Sequence, residues 1–204
     1  MTVKVCGMRE ADNIRELERL PFQWMGFIFY PRSKRYVDNV PQYLPLRQKR
    51  VGIFVDATEE FITEHVSQYG LHLLQLHGHE TPADCHNIKQ ATGLPIIKAL
   101  GIATEDDVRQ AEQYKDTADY FLFDTKSETL GGSSQAFDHR LLNAYTLSTP
   151  FLLSGGIGPE NREEVMSIRH PQFMGIDLNS KFELSPGLKS VSKLEDFLLN
   201  INHQ

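Results

Sequence analysis

Eight short runs of aliphatic, β-branched and aromatic residues recur along the chain, at residues 3–6, 25–29, 51–55, 71–76, 95–98, 120–123, 150–153 and 173–178. Successive runs start 22, 26, 20, 24, 25, 30 and 23 residues apart. Each is nearly continuous in apolar character rather than alternating, which is how parallel strands buried on both faces read. Between them lie amphipathic segments. Residues 11–20 carry Ile14, Leu17 and Leu20 on one face, and 59–69 carry Phe61, Ile62 and Val66. Residues 104–114 open with Thr104 three positions before Asp107 and turn Val108 and Ala111 inward; 191–201 carry Leu194, Phe197, Leu198 and Ile201. These are helix patterns with ordinary start signals. Residues 37–46 make a weaker one, interrupted by Pro41 and Pro45.

Strand–helix alternation repeated eight times predicts a parallel α/β fold. With no glycine-rich dinucleotide turn after the first run, a closed (β/α)8 TIM barrel is favoured over an open sheet. Units of this length predict a small barrel with short loops. No linker rich in Pro, Gly or Ser divides the chain, so one barrel domain over 1–204 is expected. A chain of 204 residues buries roughly 70% of its unfolded surface and needs neither disulfide nor metal to hold a core. Cys6 and Cys85 are too few for a disulfide framework, and no signal-peptide pattern opens the chain, so a cytoplasmic protein with reduced thiols is expected. No apolar run is long enough to cross a membrane. Lys and Arg number 21 against 27 Asp and Glu, a net charge of −6 that argues against a nucleic-acid partner.

A barrel places chemistry at the C-terminal ends of its strands. Cys6 ends the first run, Arg32, Lys34 and Arg35 follow the second, and Asp56 follows the third. Gln75 and His77 close the fourth, Lys98 the fifth and Asp124 the sixth. Ser154, Gly155 and Gly156 follow the seventh; Asp177, Asn179 and Ser180 close the eighth. The glycines of Ser154-Gly155-Gly156-Ile157-Gly158-Pro159 would let backbone N–H groups approach an anion, with Pro159 at a first helical position. A tight structural turn is the other reading. Cys6 is either an inert core thiol or a base, and with an ordinary pKa of ~8.5 it would be about 3% thiolate at pH 7. Asp124, behind three apolar residues, is either an ion-pair partner of Lys126 or another base, or a general acid with a pKa raised by burial. His77 and His79 offer two metal ligands but no evident third, so no metal is assigned.

Six stretches taken in order carry a family resemblance: Lys4-Val5-Cys6-Gly7-Met8; Gly26-Phe27-Ile28-Phe29-Tyr30-Pro31-Arg32-Ser33-Lys34-Arg35-Tyr36; Val51-Gly52-Ile53-Phe54-Val55; Leu74-Gln75-Leu76-His77-Gly78; Phe123-Asp124-Thr125-Lys126 with Gly131-Gly132 and Phe137-Asp138; and Ser154-Gly155-Gly156. Ser185-Pro186-Gly187-Leu188-Lys189 fits as well. Over essentially its whole length the chain resembles the phosphoribosylanthranilate isomerases of tryptophan biosynthesis. The resemblance implies a cofactor-free Amadori rearrangement of N-(5-phosphoribosyl)anthranilate to the 1-deoxyribulose phosphate, in a monomer or homodimer. It implies Cys6 as general base and Asp124 as general acid, Arg35 at the anthranilate end with Asp177 as a further substrate contact, and Gly155, Gly156 and Ser180 at the phosphate. One departure stands out. Lys181 occupies a position where the family usually has glycine, so either the loop is strained or the ammonium reaches the phosphate. Two other readings share the fold: a metal-dependent ketose-phosphate epimerase, and a barrel that binds a phosphorylated ligand without turning it over.

Overall fold

Strands that are apolar on both faces need cover on both, and a sheet closed on itself supplies one of the two covers. The computed structural model describes residues 1–125 and 139–201, so Lys126, Gly131, Gly132, Phe137 and Asp138 of the stretches above lie outside the described residues. Its eight parallel strands are β1 (Thr2–Val5), β2 (Trp24–Ile28), β3 (Lys49–Phe54), β4 (Leu73–Leu76), β5 (Ile96–Ile102), β6 (Tyr120–Thr125), β7 (Phe151–Ser154) and β8 (Phe173–Leu178). They pair in chain order and close where β8 meets β1. The expected barrel is present.

Strand alternation divides the core in two. Cys6, Trp24, Val51, Ile53, Leu73, Ile97, Ala99, Leu122 and Leu152 pack inside the barrel. Their strand neighbours, such as Val5, Leu74, Phe121, Phe123 and Ile176, point outward into a larger cluster under the helices. The inward series continues to the strand exits, so Cys6, His77, Asp124 and Ser154 inherit their direction from the residues below them.

The outer layer consists of α1 (Ala11–Leu17), α2 (Glu59–Tyr69), α3 (Pro82–Thr92), α4 (Glu105–Arg109), α5 (Arg162–Met166) and α6 (Val191–Ile201), with short 3₁₀ turns at Gln110–Tyr114 and His139–Ala144. α4 opens with the reciprocal Thr104–Asp107 cap that the spacing predicts, and α6 buries Leu194, Phe197, Leu198 and Ile201. The alternation is incomplete among the described residues, which between β6 and β7 form only the 3₁₀ turn at His139–Ala144. Between β2 and β3 there is no helix, because Pro41 and Pro45 each lack the N–H that a helix interior requires. The segment is instead tied down by Glu18, whose carboxylate accepts from the Tyr43 hydroxyl and from the backbone N–H groups of Leu46 and Arg47.

The barrel also carries one irregularity that matters to the site. Phe151 pairs with Phe173, but Leu152 pairs with Gly175, so β8 has one residue extra at this point. The extra residue resets the alternation of β8 and turns Asp177 into the barrel, in register with Lys4 of β1. Gly175 itself lies so close to β1 that a Cβ there would fall 1.8 Å from the Thr2 carbonyl oxygen. Gly175→Ala is therefore expected to cost on the order of 3 kcal/mol. Urea unfolding of the purified variant measures it, and a midpoint equal to the parent's would refute this close approach.

Candidate active site

Five of the eight strands aim a polar inward residue at the C-terminal mouth, where they line an open cavity. Cys6, Asp124, Asp177, Gly155, Gly156 and Ser180 all line it, so six of the seven site residues expected from sequence come together. Arg35 stands at the edge and does not.

Cys6 follows β1, its N–H donating to the Leu178 carbonyl oxygen at 2.9 Å and its side chain 4% exposed. Gly26 on β2 leaves room for it, since a Cβ there would lie 3.0 Å from Sγ. The next residue, Gly7, has φ +77°, and a Cβ on it would meet Arg35 Cδ at 2.7 Å and Asn179 Oδ1 at 2.9 Å. Glycine here therefore lets a cationic side chain and the loop after β8 approach the Cys6 backbone. Burial pushes the Cys6 thiol up, while Lys4 and Lys189 pull it down.

Beneath Cys6, the Lys4 ammonium lies 3.0 Å from Asp177 Oδ1, both side chains buried. Burial works against the charge on Lys4, but Asp177 and then Cys6 outweigh it and raise its pKa. Burial raises Asp177 as well, against the pull of Lys4. Beside them Arg35 forks onto Glu183 at 2.8 and 2.6 Å. The fully buried Lys189 ammonium donates to Glu183 Oε1 and to Asn179 Oδ1, both at 2.7 Å. Burial alone would raise Glu183; the bonds from Arg35 and Lys189 outweigh it and hold the carboxyl at about 2.

Asp124 is half-exposed at the rim, and its Oδ2 faces His77 Nε2 at 3.5 Å. Gln75 Nε2 lies 2.8 Å from His77 Nδ1. If the Gln75 amide donates there, the imidazole proton sits on Nε2, facing Asp124. Among the described residues the base that faces Asp124 is His77; Lys126 lies outside them. After β7, the strand next to β6, Gly155 and Gly156 have φ +97° and +64°. A Cβ on Gly155 would fall 2.1 Å from Thr125 Oγ1, whereas Gly156 faces open space.

Lys181 does not strain its loop, because Asp56 is the one non-glycine residue with positive φ among those described. Its ammonium instead meets Glu160 Oε1 at 2.6 Å, joining the loop after β8 to the loop after β7. Two residues expected at strand exits belong elsewhere, and β5 runs on past Lys98 to Ile102. Lys98 points outward, buried against Glu80 at 2.7 Å, and Asp56 pairs with the exposed His79. His77 and His79 consequently face different carboxylates, and the ligand pair that an epimerase reading needs does not converge. Lys4, Glu183 and Lys189 were not picked out by sequence, although the i, i+2 spacing of Lys4 and Cys6 already places them on one face.

The family model for N-(5'-phosphoribosyl)anthranilate isomerase matches residues 3–200. A curated protein of that name from Parabacteroides distasonis is 51% identical, with 100% of this chain and 94% of that protein covered. Its namesake from Phocaeicola vulgatus is 47% identical over 97% of this chain and 96% of its own length. Among solved structures, phosphoribosyl anthranilate isomerase from Thermotoga maritima superposes with a TM-score of 0.84 at 31% identity, covering 100% of both chains. Another, in complex with reduced 1-(o-carboxyphenylamino)-1-deoxyribulose 5-phosphate, gives 0.82 at 29% identity, again over 100% of both chains. With its closed barrel, its mouth cavity and this breadth of likeness, the chain belongs to the N-(5'-phosphoribosyl)anthranilate isomerase family.

Proposed function

We propose that this chain, as a single barrel domain, converts N-(5-phosphoribosyl)anthranilate into 1-(2-carboxyphenylamino)-1-deoxyribulose 5-phosphate in tryptophan biosynthesis. The observation that carries the reading is one cavity lined by Cys6 from β1 and Asp124 from β6, strands that are not neighbours, with Gly155, Gly156 and Ser180 in the same wall. An acid and a base reaching a small substrate from different sides are what an aldose–ketose rearrangement requires.

In this mechanism Asp124 gives its proton to the furanose ring oxygen, and the ring opens to a Schiff base. The positive nitrogen acidifies the C2–H bond. The Cys6 thiolate takes that proton and becomes the thiol, and the enolamine left behind tautomerises to the ketone. No atom is gained or lost. Gly155 and Gly156 present backbone to the phosphate beside Ser180; Arg35, steadied by Glu183, meets the anthranilate end, and Asp177 is a further contact to the substrate. The protein acts in the cytoplasm as a monomer or homodimer; among the described residues no helix is long and apolar enough to cross a membrane.

The test is turnover of freshly generated substrate by EDTA-treated protein, followed by loss of anthranilate-type fluorescence. Cys6→Ala and Asp124→Asn are each expected to lower kcat by about 10²–10⁴ with KM little changed. Full turnover in either variant, or lost binding with kcat intact, would remove that residue from its role. Arg35→Ala is expected to act mainly on KM, raising it about tenfold, as loss of one charged contact would; an unchanged KM would place the anthranilate end elsewhere.

A further inference from the structure

As a base Cys6 works only when ionised, and burial opposes that form. Its charged surroundings decide how far the opposition is offset. On its own strand, two residues back and on the same inward face, stands Lys4, 0% exposed. β8 contributes Asp177. The β2–β3 connection contributes Arg35, and the antiparallel pair β9 (Glu183–Ser185) and β10 (Leu188–Lys189) contributes Glu183 and Lys189. The loop after β8 adds the uncharged Asn179 and Ser180, and β2 and β3 turn only Gly26, Ile28 and Ile53 toward the sulfur. His77 after β4 and Asp124 on β6 stand at the rim, 36% and 37% exposed, where water screens them.

The set as a whole is unequal in sign: three cations, the fully buried Lys4 and Lys189 and the partly exposed Arg35, against two carboxylates, Asp177 and Glu183. Arg35 and Lys189 both bond Glu183 with good geometry. Lys4 and Asp177 touch at 3.0 Å, yet neither Lys4 Nζ nor Asp177 Oδ1 has an aligned hydrogen bond. The Lys4 ammonium is thus the buried cation whose donors are least engaged, and it is the one on the Cys6 strand.

Building on the assignment of Cys6 as base, we infer that Lys4 is its positioning residue: the buried ammonium stands between the Asp177 carboxylate and the Cys6 sulfur and balances the charge that appears when the thiol loses its proton. When the thiolate takes the C2 proton of the substrate, that charge disappears and Lys4 keeps Asp177 as its partner.

The rate of Cys6 alkylation by iodoacetamide as a function of pH tests this without substrate. Mass spectrometry of the Cys6 peptide keeps it apart from Cys85, whose thiol burial pushes up to about 11. Lys4→Met is expected to move the thiolate inflection up by about one pH unit, so that alkylation below the inflection slows about tenfold. Lys4→Arg should stay near the parent. Asp177→Asn, which leaves the cation without its carboxylate, should move the inflection down. Loosening of the barrel mouth would shift Lys4→Met and Asp177→Asn the same way, so the opposite signs identify the charge effect. The kcat–pH profile of Lys4→Met should show an inflection displaced in the same direction as its alkylation curve. An unmoved inflection in folded Lys4→Met, or a shift of the same sign in both variants, overturns the inference. Should Lys4→Met not fold, an Asp177→Asn inflection at or above the parent's overturns it alone. Failure of Cys6 as the base would show separately, as turnover surviving in Cys6→Ala.

Discussion

An ammonium and a carboxylate lie side by side, out of water, at the seam where the last strand of the barrel meets the first. Such a pair contributes little net stability beyond its own desolvation, but leaving either member alone inside would cost several kcal/mol. That asymmetry makes it a device for register. A slip of one residue between β8 and β1 would carry Asp177 to the outer face and strand Lys4 in the interior. The barrel closes in the register that joins them, and the same register brings the polar end of β8 to the cavity where Cys6 sits.

A second charged group stands beside the first and does a different job. Arg35 lies in a connection without a helix, so little regular structure holds it. Its guanidinium is aimed by the fork onto Glu183, and Glu183 is anchored by the buried Lys189. Lys189 in turn is fixed through its backbone, whose N–H and carbonyl both bond the Asn13 amide of α1. The direction of one side chain at the rim is therefore set by a chain of contacts that ends on the buried Asn13 of α1.

What was legible in the sequence was whatever depends on local pattern. Continuous apolar runs marked the strands, the Thr104–Asp107 spacing marked a helix start, and Pro41 with Pro45 already weakened the helix that is missing between β2 and β3. The mouth residues were legible because a strand exit is where an inward series meets polarity, as at Cys6 and Asp124. Lys98 and Asp56 were expected by the same positional rule and face elsewhere, Lys98 because β5 runs four residues beyond it. Lys98 falls on the outward parity of β5, and Asp56 follows an outward Phe54 and turns to His79. Lys4 escaped notice for the opposite reason: a lysine near a chain's start reads as solvated, and its partner is 173 positions away. The extra residue in β8 has no local signature either, since it arises from how β7 and β8 pair and not from β8 alone.

The contact between Lys181 and Glu160 binds two loops that share the wall of one pocket. Both side chains are about half exposed, so the tie is worth well under 1 kcal/mol and weakens as ions screen it. Its effect falls on entropy: two segments that would otherwise fluctuate separately hold a common gap, so less ordering is left for an incoming anion to bring about. Preorganisation of this kind fades as ionic strength rises, and the pocket becomes most adaptable in the salt that also screens its ligand.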